Sequence, residues 1–128
     1  MHDLIKKIGM LPIIKSRKVP WSKNERLENG HSTMLYPIYD KDVQDFIEQF
    51  YELELIDKDY SENYKLIKNK EVNELNLQEI LTFLTYYIRG ERFYDGMIAS
   101  ILENGKLEEV LTKLNRLSKE NANNVNNN

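Results

Sequence analysis

The stretch Asn76-Leu77-Gln78-Glu79-Ile80-Leu81-Thr82-Phe83-Leu84-Thr85-Tyr86-Tyr87-Ile88-Arg89-Gly90 decides the fold. Leu77, Leu81, Leu84 and Ile88 recur at helical spacing, and Ile80, Phe83 and Tyr87 widen the stripe. Asn76 is placed to cap this helix, since its side-chain oxygen can accept from the free amides of the first turn. Glu79, three residues on, holds the position of a capping-box carboxylate. Gly90 marks a hinge or the end of the helix.

Beyond Gly90 lies Glu91-Arg92-Phe93-Tyr94-Asp95-Gly96, where charge, aromatic rings and glycine are densest. The pattern then predicts a second helix, with Phe93, Met97 and Ile101 in one row and Tyr94, Ile98 and Leu102 beside it. Asn104-Gly105 is its expected stop. A last helix follows, with Leu107, Val110, Leu111, Leu114 and Leu117 inward. Its acids Glu108 and Glu109 come early and Lys113, Arg116 and Lys119 late, the polarity that a helix dipole favours. Short joints make these three segments consecutive antiparallel neighbours, and they are the expected core.

Within the 88–96 box, helical geometry puts Arg92, Asp95 and Gly96 on one face. A glycine inside a helix costs about 1 kcal/mol relative to alanine, which suits a close approach of a backbone or ligand. Two readings follow. In one, Arg92, Phe93, Asp95 and Gly96 are structural: Glu91 or Asp95 satisfies Arg92, and Phe93 is core. In the other, the arginines hold an anionic group. The reading adopted makes those four residues structural and assigns ligand or partner contact to Arg89, Tyr86 and Glu91.

The run from Ile88 to Gly105, followed by a Leu-rich helix, resembles a small prokaryotic family of unknown function. Its signature is an [RK]-x-[DE]-R-F-x-[DE]-G box, a small-residue helix, a Gly and a closing helix ending in Arg-Leu. Arg89, Glu91, Arg92, Phe93, Asp95, Gly96, Gly105, Arg116 and Leu117 fall on that pattern. Upstream it touches Trp21 and a Tyr39-x-x-x-Val43-x-x-Phe46 spacing. The resemblance implies a shared fold and brings no activity with it.

The rest of the chain is organised around that core. A first helix is expected from about His2 to Met10, with Leu4, Ile5 and Ile8 inward. Lys15 to Met34 is polar and irregular, and positions 1–35 hold seven Lys or Arg against three Asp or Glu. Tyr36-Pro37-Ile38-Tyr39 reads as extended and leads into Asp40, a good N-cap. The next helix has Val43, Phe46, Ile47, Phe50 and Tyr51 inward and ends near Leu53 to Leu55. Its outer face is acidic, through Asp42, Asp45, Glu48 and Glu52. Positions 36–65 hold nine acids against three bases. Ile56 to Glu74 reads as a connector with a short strand at Tyr64 to Ile67. The Asn-rich 121–128 has no apolar stripe and is expected to be disordered. The expectation is a single all-α domain over 1–120, of about five helices, with room for a minor β pair between Met34 and Ile67.

Composition removes several chemistries. Without cysteine there is no disulfide, thiolate metal site or cysteine nucleophile. The histidines are His2 and His31, and carboxylates do not recur at metal-ligand spacing. Phosphate-binding glycine loops and nucleophile elbows are absent. No catalytic residue, metal or cofactor is therefore assigned, and His31 reads as an ordinary loop residue. No apolar run approaches the ~20 residues needed to span a bilayer. The N-terminus lacks a signal-peptide cleavage site, so the expected location is cytoplasmic, with no membrane partner. The expected role is a small binding or regulatory module, contacting another protein without catalysis. One alternative is an enzyme or small anionic-ligand binder using the Arg/Glu/Tyr box. Another is nucleic-acid contact through the basic 15–26 loop around Trp21, disfavoured by the net charge of −3.

Overall fold

The computed structural model describes residues 2–22, 35–54 and 57–126, with side chains for all of these except 2–5 and 121–126. The expectations for Leu4, Ile5, Lys23, Arg26, His31 and the side chains of the Asn-rich tail lie outside the described residues. The described chain holds six α-helices: α1 (His2–Gly9), α2 (Lys41–Glu52), α3 (Tyr60–Ile67), α4 (Leu77–Gly90), α5 (Met97–Glu103) and α6 (Lys106–Asn126). A single 3-10 turn, Val72–Glu74, precedes α4.

Helix α4 is the hub. Ile80, Phe83, Leu84 and Ile88 are all buried, and α3, α5 and α6 pack around it. Both halves of the predicted capping box form: Glu79 N donates to Asn76 Oδ1 at 2.8 Å, and Asn76 N to Glu79 Oε1 at 3.0 Å. Ile98, Ile101 and Leu102 of α5 and Leu107, Val110, Leu111 and Leu114 of α6 complete the core with Val43, Phe46 and Phe50 of α2. Gly105, at φ +84, makes the turn between α5 and α6.

The N-terminal segment closes on the C-terminal helix. α1 packs chiefly on α6, with Ile8, Leu11 and Ile14 buried. Gly9 allows this approach, because a Cβ there would sit 2.6 Å from Ser118 Oγ. Asn115 Nδ2 donates to the Gly9 carbonyl at 3.3 Å, and Ser16 N to Glu108 Oε1 at 2.7 Å.

Two expectations are corrected. Tyr64 to Ile67 belongs to helix α3, not to a strand. Tyr60, Tyr64 and Ile67 share one helical face toward α4, a 3.6-residue period that the four-residue window Tyr64 to Ile67 conceals. The extended 36–39 segment instead pairs with residues 20–22. Ser22 N donates to Tyr36 O and Ile38 N to Pro20 O, each at 2.8 Å, around an isolated antiparallel bridge between Trp21 and Pro37. The α6 backbone runs from Lys106 to Asn126. Among the described residues no helix is long and apolar enough to cross a membrane.

Candidate interaction face at the α4–α5 turn

The box is not one continuous helix. α4 ends at Gly90, residues 91–96 form a turn, and α5 starts at Met97. Gly96, at the N-cap of α5, has φ +97, which a side chain tolerates poorly. A Cβ at Gly96 would also lie 2.8 Å from the Trp21 ring. The glycine is thus fixed both by its own backbone and by the indole edge lying on it.

A glycine N-cap has no side chain to offer the open amides of its helix, and Glu91 supplies the acceptor instead. Its Oε2 accepts from Gly96 N at 2.8 Å and its Oε1 from Ile98 N at 2.7 Å. Oε1 also accepts from the Tyr39 hydroxyl at 2.8 Å, whose oxygen in turn accepts from Ala99 N at 3.0 Å. One carboxylate and one phenol therefore cap α5 from outside it. Burial first, and then the bond to Glu91, push the Tyr39 pKa well above the ordinary phenol range. Tyr39 stays protonated and keeps donating.

With its polar interior closed, the turn faces its rings outward. Phe93 is 73 % exposed and Tyr94 72 %. Trp21, lying on Gly96, is 43 % exposed, and Tyr36 and Ile38 of the segment bridged to it are exposed as well. Phe93 is therefore not core, as the helical reading required: ending α4 at Gly90 rotates its row out of register with Met97. Arg92 is not held by Glu91 or Asp95. It lies exposed, its Cζ 4.5 Å from the Tyr51 ring centroid. Glu91, expected among the contact residues, is turned inward. Asp95 is exposed.

The expected contact residues Arg89 and Tyr86 lie in the last turns of α4 and pack against rings of α3. Arg89 Cζ lies 5.6 Å over the Tyr60 ring. Tyr86 is half-buried and stacks on Tyr64 at 3.7 Å between centroids. Tyr64 and Tyr87 share a hydrogen bond between hydroxyls at 3.1 Å, and burial, then that bond, raises the Tyr64 pKa. Sequence reasoning missed two residues here. Tyr39 acts from 52 positions away. Asp57 accepts from Thr82 Oγ1 at 2.7 Å, Asn63 Nδ2 at 2.9 Å and Asp59 N at 3.0 Å, tying the connector to α4. Burial pushes the Asp57 pKa up, but these bonds outweigh it and the net direction is down.

Elsewhere the polar groups serve the chain itself. A surface groove of about 470 Å³ runs along the start of α6. Its Glu108 is bonded by Ser16, and its Lys113 donates to the carbonyls of Val72 and Asn73 at 3.0 and 2.6 Å. In the basic segment, Arg17 is engaged by Asp42 through two bonds of 2.8 Å and by Asp40 at 3.0 Å. Among the described residues no group of three or more His, Asp or Glu is placed to hold a metal ion.

The geometry defines a small all-α domain that presents an aromatic turn clamped from behind by a glutamate and a tyrosine. The chain belongs to a family of unknown function, DUF6508, whose model matches residues 1–120. No curated protein and no solved structure matches it.

Proposed function

We propose that this protein is a binding or regulatory module that contacts another protein through the 91–96 turn and the adjoining Trp21 segment. The observation that carries this reading is the outward display of Phe93 and Tyr94 on a turn that Glu91 holds from within. Contiguous exposed apolar surface marks contact sites, and aromatic residues are enriched in them. Clamping the turn beforehand lowers the ordering cost of association. A small-ligand reading finds less support. The cavity beside Arg92, lined by Ile47, Tyr51, Ile88, Glu91 and Ile98, holds about 180 Å³. Ligand sites usually offer about 300–1,000 Å³.

The test is affinity capture from cells expressing the full chain, in parallel with Phe93→Ser/Tyr94→Ser. The expected result is a stoichiometric protein retained by the parent and lost by the double variant, with an unchanged melting midpoint. Equal capture by both chains would refute the assignment of the face.

A further inference from the structure

Among the described residues, the arginines divide sharply. Arg17 is paired with Asp40 and Asp42, and Arg116 reaches Glu120 at 4.0 Å. Arg89 and Arg92, three positions apart at the end of α4, have no carboxylate within ion-pair distance among the described residues. Each lies over a tyrosine ring instead, Tyr60 and Tyr51 respectively. These rings are themselves held. Tyr51 donates to the Ile88 carbonyl at 3.4 Å, and Tyr60 meets Tyr86 edge-on at 6.5 Å.

A guanidinium resting on a ring keeps the N–H donors around its edge available, and those donors match carboxylate geometry in a way an ammonium cannot. The α4 dipole explains why a cation sits in the last turn. It does not explain two planar forks propped on rings. The surroundings limit what they take. Glu52, Glu54 and Asp59, which adjoin Tyr51 and Tyr60 in the chain, are exposed, as is Asp95 in the turn, with Lys58 as a nearby base. Exposed carboxylates so close in the chain to both supporting rings disfavour a polyanion, whereas one or two isolated carboxylates match the two guanidinium forks.

Building on the proposed contact face, we infer that its partner is a protein segment presenting an apolar or aromatic side chain flanked by one or two carboxylates. The apolar group meets Phe93 and Tyr94, and the carboxylates accept from Arg89 and Arg92. The experiment is selection of a randomised heptapeptide display library on the full chain. Arg89→Gln/Arg92→Gln, Arg89→Lys/Arg92→Lys and Phe93→Ser/Tyr94→Ser are selected in parallel, each first checked for a parental melt. The parent should enrich peptides with Asp or Glu beside an apolar residue. The glutamine pair should lose the acid preference and bind a selected peptide about tenfold more weakly, the scale of one charge-assisted hydrogen bond. The lysine pair should fall between, and the serine pair should lose both preferences. Apolar enrichment without acids, lost only in the serine pair, overturns this inference and leaves the contact face standing. No enrichment, or enrichment indifferent to all the variants, overturns both. Displacement of a selected peptide by a single-stranded oligonucleotide shows a polyanion site and also overturns the inference.

Discussion

The two ends of α4 solve one problem in opposite ways. At its start, Asn76 and Glu79 satisfy each other's backbone amides within four residues, and Lys70 holds Glu79 at 2.6 Å. At its finish, Glu91 reaches forward to cap the next helix and is steadied by Tyr39 from a distant segment. Both devices use a glutamate to answer open helix amides. The first is local and mostly solvated. The second crosses the fold and is half-buried, so its loss strands more.

Substitutions test that difference in order of effect. Glu91→Ala leaves the amides of Gly96 and Ile98 and the Tyr39 hydroxyl without their acceptor. Each such loss in a shielded site costs about 1–3 kcal/mol, and a total of about 3 kcal/mol is expected by denaturant melt. A cost under about 1 kcal/mol would erase the contrast between the two ends. At the other end, Asn76→Ala removes one local cap and should cost about 1 kcal/mol. Arg92→Ala should cost under about 1 kcal/mol, the worth of an exposed cation–π contact. A loss several times larger would mean that the guanidinium holds the turn together.

The smallest effect concerns pH. The hydrogen bond from Lys70, then that from Asn76 N, holds the Glu79 pKa below its ordinary value. Its folded value lies below its unfolded one. The stability it adds is therefore present above the ordinary glutamate range and disappears as pH falls through the depressed value. Lys70→Met should move the Glu79 titration, followed by NMR, upward toward that ordinary range. An unmoved titration would assign the shift to the Asn76 cap alone.

The same contrast explains what the sequence could reveal. The α4 start was legible because cap and carboxylate lie three positions apart, and the α5–α6 joint because Asn104-Gly105 signals a stop. The stripes of α2, α4 and α6 also identified half of the core. Periodicity failed where a row crossed a break: Phe93, Met97 and Ile101 have helical spacing, but Phe93 lies in the 91–96 turn, and the positive φ of Gly96 separates it from the helix that carries the other two. The Tyr39–Glu91 clamp had no local signal, since nothing in either residue's neighbourhood names the other. Leu66 helped disguise α3, since it is 77 % exposed yet sits between Tyr64 and Ile67 and makes a helix resemble a strand.

The seat of α1 on α6 bears on how the chain comes off the ribosome. The Gly9–Asn115 bond spans 106 positions, so the packing of α1 on α6 cannot form until α6 has been synthesised. At about 5–20 residues per second, that wait is on the order of 5–20 s. Closing so long a loop adds little equilibrium cost, because the entropy grows only with the logarithm of its length. The burden falls on timing. During elongation α1 waits as an amphipathic segment without its α6 partner, open to a chaperone's grip until α6 arrives.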